Sequence, residues 1–154
     1  MASKVFRIDI PAASQTVRLP IIEDENLFSV IDITSLRLSL TTLNVVVVGN
    51  VMPWITATLT TGALGLLNPD SPGYLGSITL QPRNSEFVGA NYFYQYDYFA
   101  TRTLPETRRC VSPVDATVEV NAAIGQIPFV FLQVFWTERN VTAAEYVRLK
   151  SGGF

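Results

Sequence analysis

The chain has 154 residues, 48% hydrophobic and 16% charged, with a net charge of −2 at pH 7. That length closes a hydrophobic core without disulfides or metals, while a charged fraction below the usual ~25% points to an unusually large core or, in preference, to apolar surface covered by a partner. The acidic balance argues against a domain built chiefly to grip phosphates, and one cysteine with no histidine excludes an intrachain disulfide, a Ser-His-Asp or Cys-His arrangement and a structural zinc site.

In chain order the elements read as strands. Met1 to Lys4 is followed by Arg7 and Asp9 with no apolar stretch, so no signal peptide is expected. Phe6, Ile8 and Ile10 then alternate with Arg7 and Asp9, the period of a half-buried strand. Glu23-Asp24-Glu25-Asn26 breaks the pattern after Ile21-Ile22. Leu36, Leu38 and Leu40 alternate with Ser35, Arg37 and Ser39. The run from Val45 to Ile55 is interrupted by Gly49, Asn50 and Pro53 and falls far short of a membrane span.

Ile55, Ala57 and Leu59 alternate with threonines, and Ile78 and Leu80 with Ser77, Thr79 and Gln81. Between them, Asn68-Pro69-Asp70-Ser71-Pro72-Gly73 is a loop by its turn chemistry. Pro82-Arg83-Asn84 reads as a further turn. Tyr92 to Phe99 reads as a strand with Tyr92, Tyr94, Tyr96 and Tyr98 on one face. The segment Thr101 to Val111 reads as a loop carrying the densest cations, Arg102, Arg108 and Arg109. Val114, Ala116, Val118 and Val120 alternate with Asp115, Thr117, Glu119 and Asn121.

Phe129 to Trp136 departs from the pattern. Phe129, Phe131 and Phe135 lie on one face with Gln133; Val130, Leu132, Val134 and Trp136 lie on the other. A strand apolar on both faces is covered on both sides, by another subunit or by the protein's own loops. Asn140 or Thr142 is placed to cap a short helix through Ala143-Ala144-Glu145-Tyr146, with a final strand over Tyr146 to Leu149 as the alternative. Residues 150–154 read as a mobile tail. Seven to nine strands with regular turns predict one all-β domain over residues 1–154, a sandwich or a barrel, of which the antiparallel β-sandwich is preferred.

The search for chemistry yields few candidates. Asp97, Asp115 and Glu119 are the carboxylates available for glycoside chemistry, but Asp115 and Glu119 fall on a polar strand face where charges are solvated. No enzyme and no cofactor are expected. Glu23, Asp24 and Glu25 are the one group with calcium-like oxygens, read first as a solvated loop. Arg102, Arg108 and Arg109 are candidates for nucleic-acid contact or for salt bridges to a neighbouring subunit. Trp54, Tyr92, Tyr94, Tyr96, Tyr98, Phe129, Phe131 and Trp136 are candidates for core or subunit contact, because Tyr, Trp and Phe concentrate at interfaces.

Ser29 to Leu40 followed by Ile55 to Thr60, Ile78 to Asn84 running into Tyr92-Phe93-Tyr94, and Phe129 to Trp136 followed by Thr137-Glu138-Arg139 together resemble the strand sequence of small single jelly-roll capsid proteins of icosahedral, satellite-type RNA viruses. The resemblance implies an eight-stranded jelly roll, self-assembly into an icosahedral shell, a place in the virion, no membrane, and at most weak contact with the viral genome. The chain departs from that group in lacking a basic arm: its first twenty residues hold only Lys4, Arg7 and Arg18. The alternative from the residues alone is a non-catalytic binding module, lectin-like or a fibre or decoration protein, stacking sugar on Tyr92, Tyr94 or Trp54.

Overall fold

The computed structural model describes residues 1–11, 13–21, 28–40, 44–48, 54–61, 73–80, 82–88, 91–96, 99–111, 113–120 and 129–151. Within them the chain forms β1 (Ala2–Asp9), β2 (Ser14–Leu19), β3 (Ser29–Ser39), β4 (Asn44–Val48), β5 (Ile55–Thr61), β6 (Tyr74–Leu80), β7 (Pro82–Val88), β8 (Asn91–Tyr96), β9 (Phe99–Cys110), β10 (Val114–Val120), β11 (Phe129–Asn140) and α1 (Ala143–Ser151). Sheet A has the order β1-β11-β3-β9, sheet B the order β2-β10-β5-β6, and sheet C the order β4-β8-β7. Every pairing is antiparallel. This is the all-β sandwich that the alternation predicts.

The period-two pattern decides which side of each strand meets the core. Ile8, Leu36 and Leu132 of sheet A join Leu59, Ile78 and Val114 of sheet B in one buried apolar cluster. Burial of each such side chain stabilises the fold by about 1.5–3 kcal/mol. The lone thiol, Cys110, is buried in the same cluster.

The pairing of the eight strands in sheets A and B is nested. The first pairs with the last (β1 with β11), the second with the seventh (β2 with β10), the third with the sixth (β3 with β9), and the two innermost with each other (β5 with β6). Successive rungs of this nest alternate between the two sheets. Sheet C is built from the connections: β4 lies between β3 and β5 in the chain, β7 and β8 between β6 and β9.

The sandwich is pinned where edge strands β6 and β9 approach each other. A Cβ added at Gly76 would sit 2.8 Å from Leu104 Cδ2, so glycine is what lets Leu104 close this edge. Beside it, Arg102 Nη1 donates to the Ser77 carbonyl oxygen at 2.8 Å.

Four expectations are revised. Residues 101–110 form the body of β9 rather than a loop, because Leu104 and Cys110 are buried and β3 supplies a pairing partner. Pro82 opens a strand rather than a turn; β7 is an edge of sheet C, where a missing N–H is tolerated. The segment expected as one tyrosine strand is divided between β8 (to Tyr96) in sheet C and β9 (from Phe99) in sheet A, with Asp97 and Tyr98 outside the described residues. After Asn140 the chain forms the expected short helix and not the alternative strand: Thr142 Oγ1 accepts from the Glu145 N–H at 3.2 Å, one half of the Thr-x-x-Glu capping box; what is revised is its end. α1 runs through Lys150 and Ser151, two residues into the expected tail, and residues 152–154 lie outside the described set.

Candidate contact surface

The two sheets turn very different outer faces away from the core. On sheet A, strand register sets side chains in rows. Arg7 lies opposite Phe131, which lies opposite Ser39; Val5 opposite Gln133, then Arg37, then Thr101; Ser3 opposite Phe135, then Ser35, then Thr103. Asp9 faces Phe129 at the end. The inner residues of β11 are fully buried, whereas Phe129, Phe131, Gln133 and Phe135 are only half-buried, and Val5 is 55% exposed. The second apolar face expected of this strand is therefore present and half bare.

Local contacts tie these aromatics to one another and to their neighbours. Phe129 and Phe131 meet edge-on with ring centroids 5.6 Å apart, an arrangement favoured by the ring quadrupoles. The Arg7 guanidinium lies 4.1 Å from the centre of the Phe129 ring and its Nε is 3.1 Å from Asp9 Oδ1. Gln133 Nε2 donates to Ser3 Oγ at 3.1 Å, and Arg37 Nε to Thr101 Oγ1 at 3.3 Å. The result is a pre-ordered surface with an aromatic centre and a polar surround.

This face ends at a bulge. The register of β11 on β3 slips between Phe135 and Trp136, leaving Thr34 unpaired in the ladder, and Thr34 Oγ1 donates to the Phe135 carbonyl oxygen. Trp136 points into the main core. Beyond the bulge, Asp32 receives Arg109 Nε at 3.1 Å and lies 3.7 Å from Arg139 Nε. α1 packs near this end through Tyr146, in a small cluster with Val30 and Val111.

On sheet B the outer rows are polar throughout. They run Ser14, Glu119, Thr56, Thr79; then Thr16, Thr117, Thr58, Ser77; then Arg18, Asp115, Thr60, Tyr74. Thr16 and Thr117 share a hydrogen bond of 2.9 Å, as do Thr56 and Thr79. Thr58, Thr60, Asp115 and Thr117 are nevertheless buried. Asp115 thus differs from the solvated carboxylate expected of a polar strand face. Register sets it opposite Arg18, whose Nε and Nη2 lie 2.8 and 3.5 Å from its two oxygens. Burial of a carboxylate is tolerated when it is paired and hydrogen-bonded in this way.

The remaining candidates are dispersed. Trp54 is half-buried just ahead of β5. Register places Tyr92 opposite Val47 and Phe87, Tyr94 opposite Val45 and Ser85, and Tyr96 opposite Pro82; for these three only the backbone is described, and Asp97 and Tyr98 lie outside the described residues. Glu23, Asp24 and Glu25 also lie outside them. Arg102 and Arg109 make contacts within the chain, and Arg108 is opposite Ile33 in the register of β9. Among the described residues no group of three or more His, Cys, Asp or Glu side chains is placed to hold a metal ion, and no helix is long and apolar enough to cross a membrane.

Sequence reasoning found Phe129 and Phe131 and missed Val5, Arg7 and Arg37 as their neighbours. Their strands alternate cleanly, but only register shows which outer residues share a row with β11. No protein-family model and no curated protein matches the chain.

Proposed function

We propose that this protein is a structural subunit that assembles with copies of itself into a closed shell, the coat of a virion, and that its sandwich is an eight-stranded jelly roll. The nested pairing supports the fold reading: a long antiparallel ribbon, rolled so that successive rungs fall in alternate sheets, produces the order β1-β11-β3-β9 facing β2-β10-β5-β6.

The observation that carries the assembly reading is the half-bare aromatic face of sheet A. Its composition is that of an interface centre, where aromatic residues and Arg are enriched and Lys and Glu depleted. The side chains are already fixed by ring stacking and hydrogen bonds, which lowers the entropy lost on docking. Over the eight-residue length of β1, four strands about 4.8 Å apart offer a footprint on the order of 500 Å². That is smaller than the ~800 Å² per partner of a standard stable interface, so the face serves as one of several contacts, as each subunit of a shell requires.

Light scattering with negative-stain microscopy tests this on the purified chain. Uniform particles of tens of subunits are the expected result, and Phe131→Glu, which places a charge in the middle of the face, abolishes them while leaving circular dichroism unchanged. A wild-type chain that stays monomeric at the highest soluble concentration overturns the reading.

A further inference from the structure

α1 covers part of the outer side of sheet A, beyond the bulge at Thr34, and among the described residues a small set of contacts ties it there. Tyr146 is its one buried side chain. That ring belongs to a small cluster with Val30 and Val111, separate from the main core, against which Val141 and Leu149 pack partly buried. The Tyr146 hydroxyl is itself buried with no hydrogen-bond partner. The polar tie is Arg139 Nη2 to Glu145 Oε1 at 3.6 Å, with Arg139 42% exposed, and Val147 is 64% exposed on the helix surface. At nine residues, α1 is shorter than the roughly 12–15 residues that hold an isolated helix in water.

A strained neighbour adds to the load. Phe28 has φ 48°, a left-handed backbone that a bulky residue rarely adopts. Two contacts hold it there: the Val141 N–H donates to its carbonyl oxygen at 2.9 Å, and its ring meets that of Tyr146 edge-on at 5.4 Å. Both involve the segment that leads into α1 or the helix itself. Docked α1 therefore carries a buried orphan hydroxyl and a strained residue, set among the described residues against the packing of Tyr146, Val141 and Leu149 and the Arg139–Glu145 pair.

We infer that α1 is a latch, opening as a unit about Val141 and Thr142 while the sandwich stays folded. Ile31 faces the main core, so Val30 and Asp32 face outward on the same side of sheet A as Phe131 and Phe135. Opening uncovers Val30 and Val111, a second apolar patch set apart from Phe135 by the Asp32, Arg109 and Arg139 ion cluster, and so adds to the area on which a second copy docks. The opening stands on its own contacts; only its use, to set the area available for assembly, rests on the function proposed above.

Hydrogen–deuterium exchange on the full chain tests the latch, with peptides from residues 141–151 compared with those from 130–136. The expected result is exchange in α1 about a hundredfold or more faster than in β11, since units that open locally exchange far ahead of the cooperative core. Tyr146→Phe removes the orphan hydroxyl and slows exchange in α1 roughly fivefold or more, leaving β11 unchanged. Equal rates in α1 and β11 overturn the proposal, as does a Tyr146→Phe chain in which both segments slow together or neither does. Scattering on the same samples keeps the two readings apart: if no particles form, the assembly role falls and the exchange result still decides the latch.

Discussion

The outer faces of the two sheets invert the usual relation between polarity and exposure. Sheet B turns Thr58, Thr60, Thr117 and Asp115 away from the core and buries them all. Sheet A turns Phe129, Phe131, Phe135 and Val5 away from the core and leaves the three rings partly exposed and Val5 55% exposed. Polarity alone would have assigned the cover to the other sheet. The difference teaches that alternation identifies the side of a strand that joins the core, while the fate of the opposite side depends on what the rest of the chain, or another chain, lays over it.

The comparison breaks most readily at Arg18. Arg18→Ala leaves the Asp115 carboxylate buried without its ion pair and lowers unfolding free energy by about 2 kcal/mol in urea titration. This is below the 3–5 kcal/mol of a fully buried pair, because the Arg18 side chain is 56% exposed and solvent screens its half of the interaction. Thr60→Val sharpens the contrast in the other direction. Thr60 Oγ1 is buried without a partner, so the isosteric change raises stability by about 1 kcal/mol, read as a higher urea midpoint with unchanged slope. The smallest stability effect is expected on the bare face of sheet A. Phe131→Thr keeps a good strand former and shifts stability of the dissociated chain by less than about 1 kcal/mol, yet it removes particles from the scattering profile. A loss of several kcal/mol there would make Phe131 a core residue in disguise and erase the distinction between the two faces.

Much of the sandwich was legible because its signal is local. Each inward residue of β1, β3, β5, β6 and β10 is set by its neighbours two places away, and Thr142-Ala-Ala-Glu145 carries its own helix start. What escaped was long-range. Nothing near Arg18 announces Asp115, nearly a hundred residues along the chain, so the carboxylate read as solvated. Arg102 to Arg109 read as a loop because the polar run hides the two buried anchors, Leu104 and Cys110, that tie β9 to the sandwich. The aromatic face was visible as a feature of one strand, and its companions Val5 and Arg37 came only with the register.

The nested pairing also governs how the chain comes to be folded. Its innermost rung, β5 with β6, joins neighbours in sequence, but the outermost sets Ala2 opposite Trp136. During synthesis β1 emerges ahead of the other described strands and waits for all of them, through β11, before its hydrogen-bonding partner exists. Such distant closures are slow, on the order of milliseconds to seconds, and they leave strand edges and apolar faces open to neighbouring nascent chains. On the assembly reading proposed above, the chain completes its most remote strand pair before its aromatic face meets another copy.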